Sequence, residues 1–276
     1  MRRWALCLSL TGALWCAGPA RAEPTDPIDP LAARFEAEVD RRLEVPPAER
    51  DTYIVRLDAA LAAAGMADLP PQHLVLVDRS EQVQAAFVLR RTAQRRWSWI
   101  GASPVSTGRV GSFDHFRTPT GVFAHSLDNP DFRAEGTFNE NGIRGYGERG
   151  MRVFDFGWVQ AERGWGAGGF SPMRLQMHAT DPDRLAPRLG RAESKGCIRI
   201  PAGLNRFLDR RGVLDADYAQ AVASGERLWI LRPDRVPVVD PGRWLVVIDS
   251  GARQRPAWAP APRLRAAAPA GDGNAC

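Results

Sequence analysis

Two segments with helical spacing of apolar residues begin the patterned part of the chain. Apolar residues recur at near-helical intervals at Leu31, Phe35, Val39 and Leu43, which predicts a helix that Pro46-Pro47 ends. A second helix is predicted from Tyr53 through Leu61, with Gly65 as its stop signal. We expect residues 23–70 to form a small helical hairpin packed on a larger domain.

From His73 onward the apolar period changes to two, which is typical of strands. Strands are predicted at 74–77, 83–89, 97–100, 122–125, 151–159, 173–178, 228–231 and 244–248. Short helices are predicted at 204–212 and 215–224. Many short strands separated by glycine and proline predict a mostly β domain with short helices, spanning residues 71–250.

The segments at 128–150 and 160–172 are rich in Gly, Asn and Asp and are predicted to be long loops at a functional rim. Within them, 145–150 and 164–169 both read G-x-G-x-x-G. A dinucleotide site needs a strand before this motif and a helix after it, and neither copy has that context. We therefore expect no cofactor. Residues 251–276 are rich in Ala, Pro and Arg with little to bury, which predicts a disordered tail.

The first 22 residues have the pattern of a secretory signal peptide. Arg2 and Arg3 precede an apolar run from Trp4 to Gly18, and Ala20-Arg21-Ala22 matches a small-x-small cleavage site. We expect the mature chain to begin at Glu23 and to be exported. The apolar run is too short for a permanent anchor, so no stable membrane anchor is expected after cleavage.

Charge and cysteine content narrow the function further. The formal net charge of +5 falls by three, to +2, when Arg2, Arg3 and Arg21 are removed, so no nucleic-acid partner is indicated. Cys7 and Cys16 leave with the leader, and Cys197 and Cys276 remain. Two cysteines do not make a disulfide framework and favour a free reactive thiol. A Cys197–Cys276 disulfide stays open, and it would silence the thiol.

The candidate chemistry centres on His178, which stands 19 residues before Cys197. A thiol of pKa about 8.5 is a weak nucleophile until a neighbouring imidazole or cation favours the thiolate. A Cys/His pair is therefore the minimum equipment for covalent acyl transfer. Gly196 fits this interpretation, because bare backbone N–H groups beside the sulfur can hold an oxyanion. The alternative is a buried structural cysteine and an unrelated histidine.

Other candidate groups are weaker. His178, Asp181 and Asp183 suggest a metal, but no second histidine or cysteine stands at ligand spacing and Asp-Pro-Asp is ordinary turn chemistry, so no metal site is predicted. The remaining histidines are expected to be structural or exposed, although two of them flank the Thr-Pro-Thr-Gly turn; they are His73, His115 and His125.

Four motifs in order resemble a known family. They are Pro-Val-Ser-Thr-Gly at 104–108, Thr-Pro-Thr-Gly at 118–121, His178, and Ser-Lys-Gly-Cys-Ile-Arg at 194–199. Together, over roughly residues 72–232, they resemble the L,D-transpeptidases of the YkuD type. The resemblance implies an exported, periplasmic enzyme with a β-sandwich catalytic domain, acting on peptidoglycan stem peptides.

The resemblance also implies a mechanism. Cys197 attacks the carbonyl of the third residue of a tetrapeptide stem, at the L-centre of meso-diaminopimelate, and releases D-alanine. The thioester then passes to an amine, which gives a 3–3 cross-link or another attachment, or to water. His178 is implied as the proton-transfer group, Gly196 and Cys197 as the oxyanion donors, and the Ala179 carbonyl as the group that orients the histidine ring.

Two positions depart from the family pattern. Lys195 stands where the family usually has histidine, and its charge could favour the thiolate. Arg199 replaces the asparagine of some members, and is either a ligand for a stem carboxylate or a surface arginine. Ser194 is grouped with these two at the substrate side and is expected to position the loop.

Three hypotheses follow: a transpeptidase, a carboxypeptidase or amidase with water as acceptor, and a wall-binding module without turnover. The oligomeric state stays open.

Overall fold

Ten β-strands and four α-helices make up residues 29–262, the part of the chain that the computed structural model describes. The helices are α1 Pro30–Glu38, α2 Pro47–Ala63, α3 Ala202–Arg211 and α4 Ala216–Ala223, with a 3₁₀ turn at Ala186–Arg188. The strands are β1 Gln72–Asp78, β2 Ala85–Arg91, β3 Trp97–Pro104, β4 Phe116–Arg117, β5 Gly121–Ala124, β6 Phe132–Arg133, β7 Arg152–Arg163, β8 Phe170–Ala179, β9 Ile198–Ile200 and β10 Trp244–Ile248.

The strands form two sheets. The first sheet has the order β3-β2-β1-β10-β5, in which β10 pairs parallel with β1 and antiparallel with β5. The second sheet has the order β4-β7-β8-β9, with β6 also paired to β7, and only its β8–β9 pair is parallel. The predicted mostly β fold with short helices is therefore confirmed.

The core lies between the two sheets, as in a β-sandwich. Val75 and Val77 of β1 belong to one buried cluster with Leu175 and Met177 of β8. The alternate residues of β1, Leu74 and Leu76, belong to a second cluster on the opposite face of the first sheet. Burial on both faces explains why the β1 segment is almost continuously apolar.

The N-terminal helical part is confirmed, but its two helices do not share a core. Phe35 of α1 packs into the cluster between the sheets, whereas Tyr53 and Leu57 of α2 pack on the outer face of the first sheet. The first helix also ends at Glu38, and the next residue, Val39, is already extended. The predicted hairpin is thus a pair of helices on opposite sides of one sheet.

Two local predictions are wrong. Residues 228–231 form a turn, not a strand, with Ile230 buried and Trp229 exposed. The predicted loop at 160–172 is a hairpin, in which only 164–169 separate the two strands. The hairpin extends because Ala161 and Met173 face the core, and this apolar periodicity was hidden among polar neighbours.

The prediction of a disordered tail does not hold for residues 251–262. Trp258 lies edge-on to Tyr53, with ring centroids 5.8 Å apart, and contacts Phe87 at 6.0 Å. These aromatic contacts bury surface that the composition of the tail did not suggest. The predicted signal peptide at 1–22, residues 263–276 and Cys276 lie outside the described residues. Between residues 29 and 262, no helix is both long and apolar enough to span a bilayer.

A buried network of charges joins the second sheet to the helices. Arg152 of β7 is fully buried and pairs with Asp131 at 2.6 Å, Asp215 at 2.9 Å and Asp209 at 3.4 Å. His125 adds Nε2 contacts of 2.9 Å to both oxygens of Asp131. Hydrogen bonds and opposite charges compensate the cost of burying these groups. No local sequence pattern indicated this network.

Candidate active site

The register of β8 and β9 brings the two candidate catalytic residues together. The strands run parallel, with Met177 paired to Ile198 and His178 paired to Arg199. Met177 and Ile198 face the core between the sheets, so His178 and Arg199 face outward. Cys197 directly precedes Ile198, in the bend that leads into β9, so it lies two residues before Arg199, the register partner of His178.

His178 is held by a backbone contact that fixes its tautomer. Its Nδ1 lies 2.6 Å from the carbonyl oxygen of Ala179. Because a carbonyl only accepts, Nδ1–H donates, and Nε2 is the nitrogen that can take up a proton when the ring is neutral. The orientation implied for Ala179 is therefore present in the geometry. Its catalytic consequence stays a prediction.

Ser194 is directed into the turn that carries the cysteine. Its Oγ donates to the Cys197 carbonyl at 2.5 Å and accepts from the Gly196 N–H at 3.1 Å, and the residue is fully buried. Ser194 therefore closes the turn, and its predicted place at the substrate side stays a prediction. The Gly196 N–H, predicted to be an oxyanion donor, is occupied by this hydroxyl in the present conformation.

Residues 108–118, which we call the strap, hold the backbone on the other side of this turn. The Arg109 N–H donates to the Ser194 carbonyl at 2.9 Å, and the Phe116 N–H donates to the Lys195 carbonyl at 3.0 Å. The Thr118 hydroxyl donates to the Gly196 carbonyl at 2.6 Å. Three consecutive carbonyls are thereby bound on the strap side, which fixes the backbone that leads into Cys197.

The two turn motifs supply the ends of the strap. Gly108 ends the first motif, and its N–H donates to the Thr118 hydroxyl of the second at 2.8 Å. A Cβ on Gly108 would stand 1.9 Å from the Phe116 carbonyl oxygen, so only glycine allows this close approach. The motifs therefore act as supports of the cysteine turn.

The side chain of Lys195 is bound to the strap. Its ammonium lies 2.8 Å from the Asp114 carboxylate, and the lysine side chain is 21% exposed while that of Asp114 is 53% exposed. An ion pair this open to solvent contributes about 0–1 kcal/mol to the stability of the fold. Lys195 thus links the strap to the turn, and its predicted effect on the Cys197 thiolate stays a prediction.

Arg199 is buried, so the alternative of a surface arginine is wrong. Its Nη1 donates to the Glu193 carbonyl at 3.3 Å, and its backbone exchanges two hydrogen bonds of 2.9 Å with Ser106. The Glu193 carboxylate pairs with Arg188 at 2.8 Å and with Arg191 at 3.3 Å. Arg199 shares the face of His178, and its role toward a stem carboxylate stays a prediction.

The candidate site is closed in this structure. His178 and Cys197 both have 0% exposure. Tyr146 lies on His178, with ring centroids 4.7 Å apart and planes at 68°, and its hydroxyl donates to Gln176 at 3.3 Å. Tyr146 also lines a cavity of about 590 Å³ formed by residues 132–147, with Phe132, Phe138 and Ile143 among its walls. This tyrosine therefore separates the cavity from the histidine.

The other histidines are structural, as predicted. His115 Nδ1 donates to the Phe113 carbonyl at 2.8 Å within the strap, and His125 Nδ1 donates to Leu214 at 2.9 Å in the buried charge network. His73 is also buried, and burial lowers its pKa. Within the described part of the chain, Cys197 forms no disulfide. Across residues 29–262, no three side chains of His, Cys, Asp or Glu are grouped as metal ligands.

Comparison with known proteins agrees with the family that the motifs resemble. The family model of the L,D-transpeptidase catalytic domain, YkuD, matches residues 72–222. No curated protein matches the chain. The matched range contains all four motifs and ends within α4, before β10.

Proposed function

The chain belongs to the YkuD family of L,D-transpeptidase catalytic domains, and from this premise we propose a two-step acyl transfer through a thioester on Cys197. The family acts on peptidoglycan stem peptides. The observation that supports the proposal is the strand register, in which His178 pairs with Arg199, two residues after Cys197, while Nδ1 of the histidine is bound to the Ala179 carbonyl.

In the first step, Nε2 of His178 takes the proton of the Cys197 thiol. The sulfur attacks the carbonyl carbon of the third stem residue, at the L-centre of meso-diaminopimelate. The bond from this carbon to the nitrogen of D-alanine then breaks, and the imidazolium returns its proton to the leaving amine. The products are a thioester and free D-alanine.

In the second step, an amine of another stem attacks the thioester carbon and gives up a proton to His178. The carbon–sulfur bond breaks, and the sulfur recovers a proton. The product is a 3–3 cross-link. Oxyanion stabilisation by the N–H groups of Gly196 and Cys197 requires the Gly196 N–H to exchange its bond with Ser194 for one with the substrate.

Substrate entry requires the closed site to open. His178 and Cys197 are buried, and Tyr146 is the side chain that lies on His178. The segment that carries it has left-handed glycines at Gly142, Gly147 and Gly150. We propose that displacement of residues 134–150 admits the stem from the side of the adjoining cavity.

Covalent chemistry is tested by intact-mass spectrometry with a carbapenem. We expect the purified chain to gain the mass of one carbapenem and Cys197→Ala to gain none, while His178→Gln reacts about 10²–10⁴-fold more slowly. Ser224→Ala, an exposed substitution at the end of α4, is the control and reacts at the parental rate. A folded parental chain that gains no mass, or a Cys197→Ala variant that does, would refute the thioester.

The acceptor is tested separately with purified disaccharide-tetrapeptides. Cross-linked dimers together with released D-alanine support the transpeptidase, whereas disaccharide-tripeptides as the only product identify a hydrolase. Binding to intact cell walls with neither product identifies a wall-binding module and contradicts the proposal.

We also propose that the enzyme acts in the periplasm, which rests on the signal-peptide pattern of residues 1–22. The N-terminal peptide of the protein recovered from a periplasmic extract should begin at Glu23. Recovery of the chain in the cytoplasm with Met1 retained would contradict this location.

A further inference from the structure

The face of the second sheet that carries His178 continues beyond the buried site. Side chains alternate along β8, so His178, Gln176, Arg174, Pro172 and Phe170 share one face. The residues between them on the same strand, Met173, Leu175 and Met177, are in the core, which confirms that the first set faces outward. The outward face is therefore covered at its His178 end and open at its Phe170 end.

The open end has an unusual composition for a solvated sheet face. Trp158 pairs with Arg174, and Glu162 pairs with Phe170, across the β7–β8 hairpin. Trp158 is 67% exposed and Phe170 is 72% exposed. We call the surface formed by Arg174, Trp158 and Phe170 the open strip. Aromatic residues and arginine are enriched at the centres of protein interfaces relative to the rest of the surface.

Arg174 is oriented by a buried carboxylate. Its Nε donates to Asp155 at 2.7 Å, and the Asp155 side chain is only 1% exposed while that of Arg174 is 38% exposed. Asp155 also accepts from Gln176 Nε2 at 2.8 Å and from the Gly157 N–H at 2.8 Å, so its position is fixed by three donors. The contact through Nε leaves the terminal nitrogens of Arg174 for another acceptor.

The orientation of Arg174 is linked to the catalytic end of the face. Gln176, which donates to Asp155, accepts from the hydroxyl of Tyr146, and Tyr146 lies on His178. One hydrogen-bonded chain thus runs from the ring over the histidine to the guanidinium in the open strip. Arg174 and His178 are four residues apart on β8, which corresponds to about 13 Å, or about the length of an extended tetrapeptide.

We propose that Arg174 binds a carboxylate of the peptidoglycan stem, with the Trp158 ring as an apolar wall, while the reacting carbonyl lies at Cys197. The two terminal nitrogens of a guanidinium match a carboxylate with two parallel hydrogen bonds. The Arg174 guanidinium carbon lies 6.0 Å from the centre of the Trp158 ring, so a ligand on the arginine also touches the indole. This assignment rests on the proposed function and adds a substrate-binding residue outside the recognised motifs.

The test compares Arg174→Gln with Arg232→Gln. Arg232 also pairs through Nε with an aspartate, at 2.8 Å, and its side chain is 40% exposed, but it lies after α4 and not on this face. We expect Arg174→Gln to raise the KM for disaccharide-tetrapeptide about tenfold or more with kcat changed less than threefold, and Arg232→Gln to change neither. Arg174→Lys should recover only part of the loss, because an ammonium cannot make the two parallel bonds.

A stem whose carboxylates are amidated is the second probe. The parental enzyme should disfavour it, and Arg174→Gln should treat amidated and free stems alike. Carbapenem acylation of the parental chain is measured separately, because it reports the reactivity of the Cys197 thiol in the enzyme whose KM is compared. An unchanged KM in an active enzyme overturns the role of Arg174 alone, whereas failure of the parental chain to acylate overturns the proposed function.

Discussion

Two features of the structure disfavour a side chain at Gly196. Its φ is +135°, a conformation that residues with a Cβ rarely adopt. A Cβ placed there would also stand 2.8 Å from Sδ and 2.9 Å from Cε of Met173. Met173 faces the core from β8, so the turn before Cys197 lies flat against the strand that carries His178. The glycine is therefore needed for the close approach of the turn, apart from any role of its N–H.

Gly196→Ala is expected to lower the free energy of unfolding by about 1–3 kcal/mol, because it combines backbone strain with a clash. It should also abolish the carbapenem adduct. Urea denaturation and intact-mass spectrometry measure the two effects. Gly225→Ala is the control, since Gly225 has a φ of +95° and a Cβ placed on it would meet nothing within 4 Å. A loss of stability in Gly196→Ala no greater than in Gly225→Ala would remove the packing argument.

At the scale of elements, the buried charge network fastens β7 to α3 and to the start of α4. Arg152 lies on β7, Asp209 on α3, and Asp215 directly before α4. The Tyr218 ring of α4 stacks on His125, with centroids 5.1 Å apart and planes at 14°. Removing one partner of such a network leaves a buried charge uncompensated, at a cost of about 3–5 kcal/mol. The network therefore holds the helices against the sheet that carries the candidate site.

The network also predicts a pH dependence of stability. Burial by itself lowers the pKa of His125, but the charge and hydrogen bonds of Asp131 outweigh it, and the pKa is raised above its ordinary value of 6.5. A raised folded pKa stabilises the fold fully below pH 6.5, and this contribution is lost as the pH rises through the folded pKa. Urea midpoints between pH 5 and 9 should show this fall, and His125→Gln should lack it.

His73 is the matched control with the opposite sign. Burial lowers its pKa, so its effect on stability appears as the pH falls below 6.5. His73→Gln should remove part of the loss at low pH and keep the fall at high pH. A parental chain whose stability does not decline above pH 6.5 would show that the charged His125–Asp131 pair does not contribute.

At the scale of the whole molecule, the first sheet depends on a strand from the C-terminal part of the chain. β10 lies between β1 and β5, although it follows them by more than a hundred residues and lies outside the matched range of 72–222. Its central residues, Leu245 and Val246, contribute to the two separate cores. The folding unit is therefore larger than the recognised family region.

A chain of residues 23–222 is expected not to unfold cooperatively, whereas a chain of residues 23–262 should keep the stability of the mature protein. Loss of β10 leaves one edge of β1 and the backbone of β5 without a partner strand, and it opens both apolar faces to water. Near-UV circular dichroism and urea denaturation make the comparison. Equal midpoints for the two shortened chains would mean that β10 is dispensable.

The sequence predicted most elements whose apolar pattern is local and strong. The β1–β2 hairpin, α2 and β10 overlap the segments in which the period predicted them, although α2 already begins at Pro47. The sequence did not predict the short strands β4, β6 and β9, because two or three residues carry too little pattern to distinguish a strand from a loop. The predicted strand at 228–231 is wrong for the opposite reason. This apolar run has no neighbouring strand to pair with, and it forms a turn.

For the candidate site, the sequence by itself determined the chemical types and their order: a thiol, an imidazole, a glycine beside the thiol, and two turn motifs. These are properties of neighbouring residues, and they require no knowledge of the fold. Only the tertiary structure decided that His178 pairs in register with Arg199, two residues after Cys197, that Ser194 turns inward, and that Lys195 pairs with Asp114. It also decided that Asp155 orients Arg174 on the outward face of β8. The physical reason is that strand register and buried charge pairing join residues far apart in the chain, and the sum of packing across the whole sandwich selects those partners.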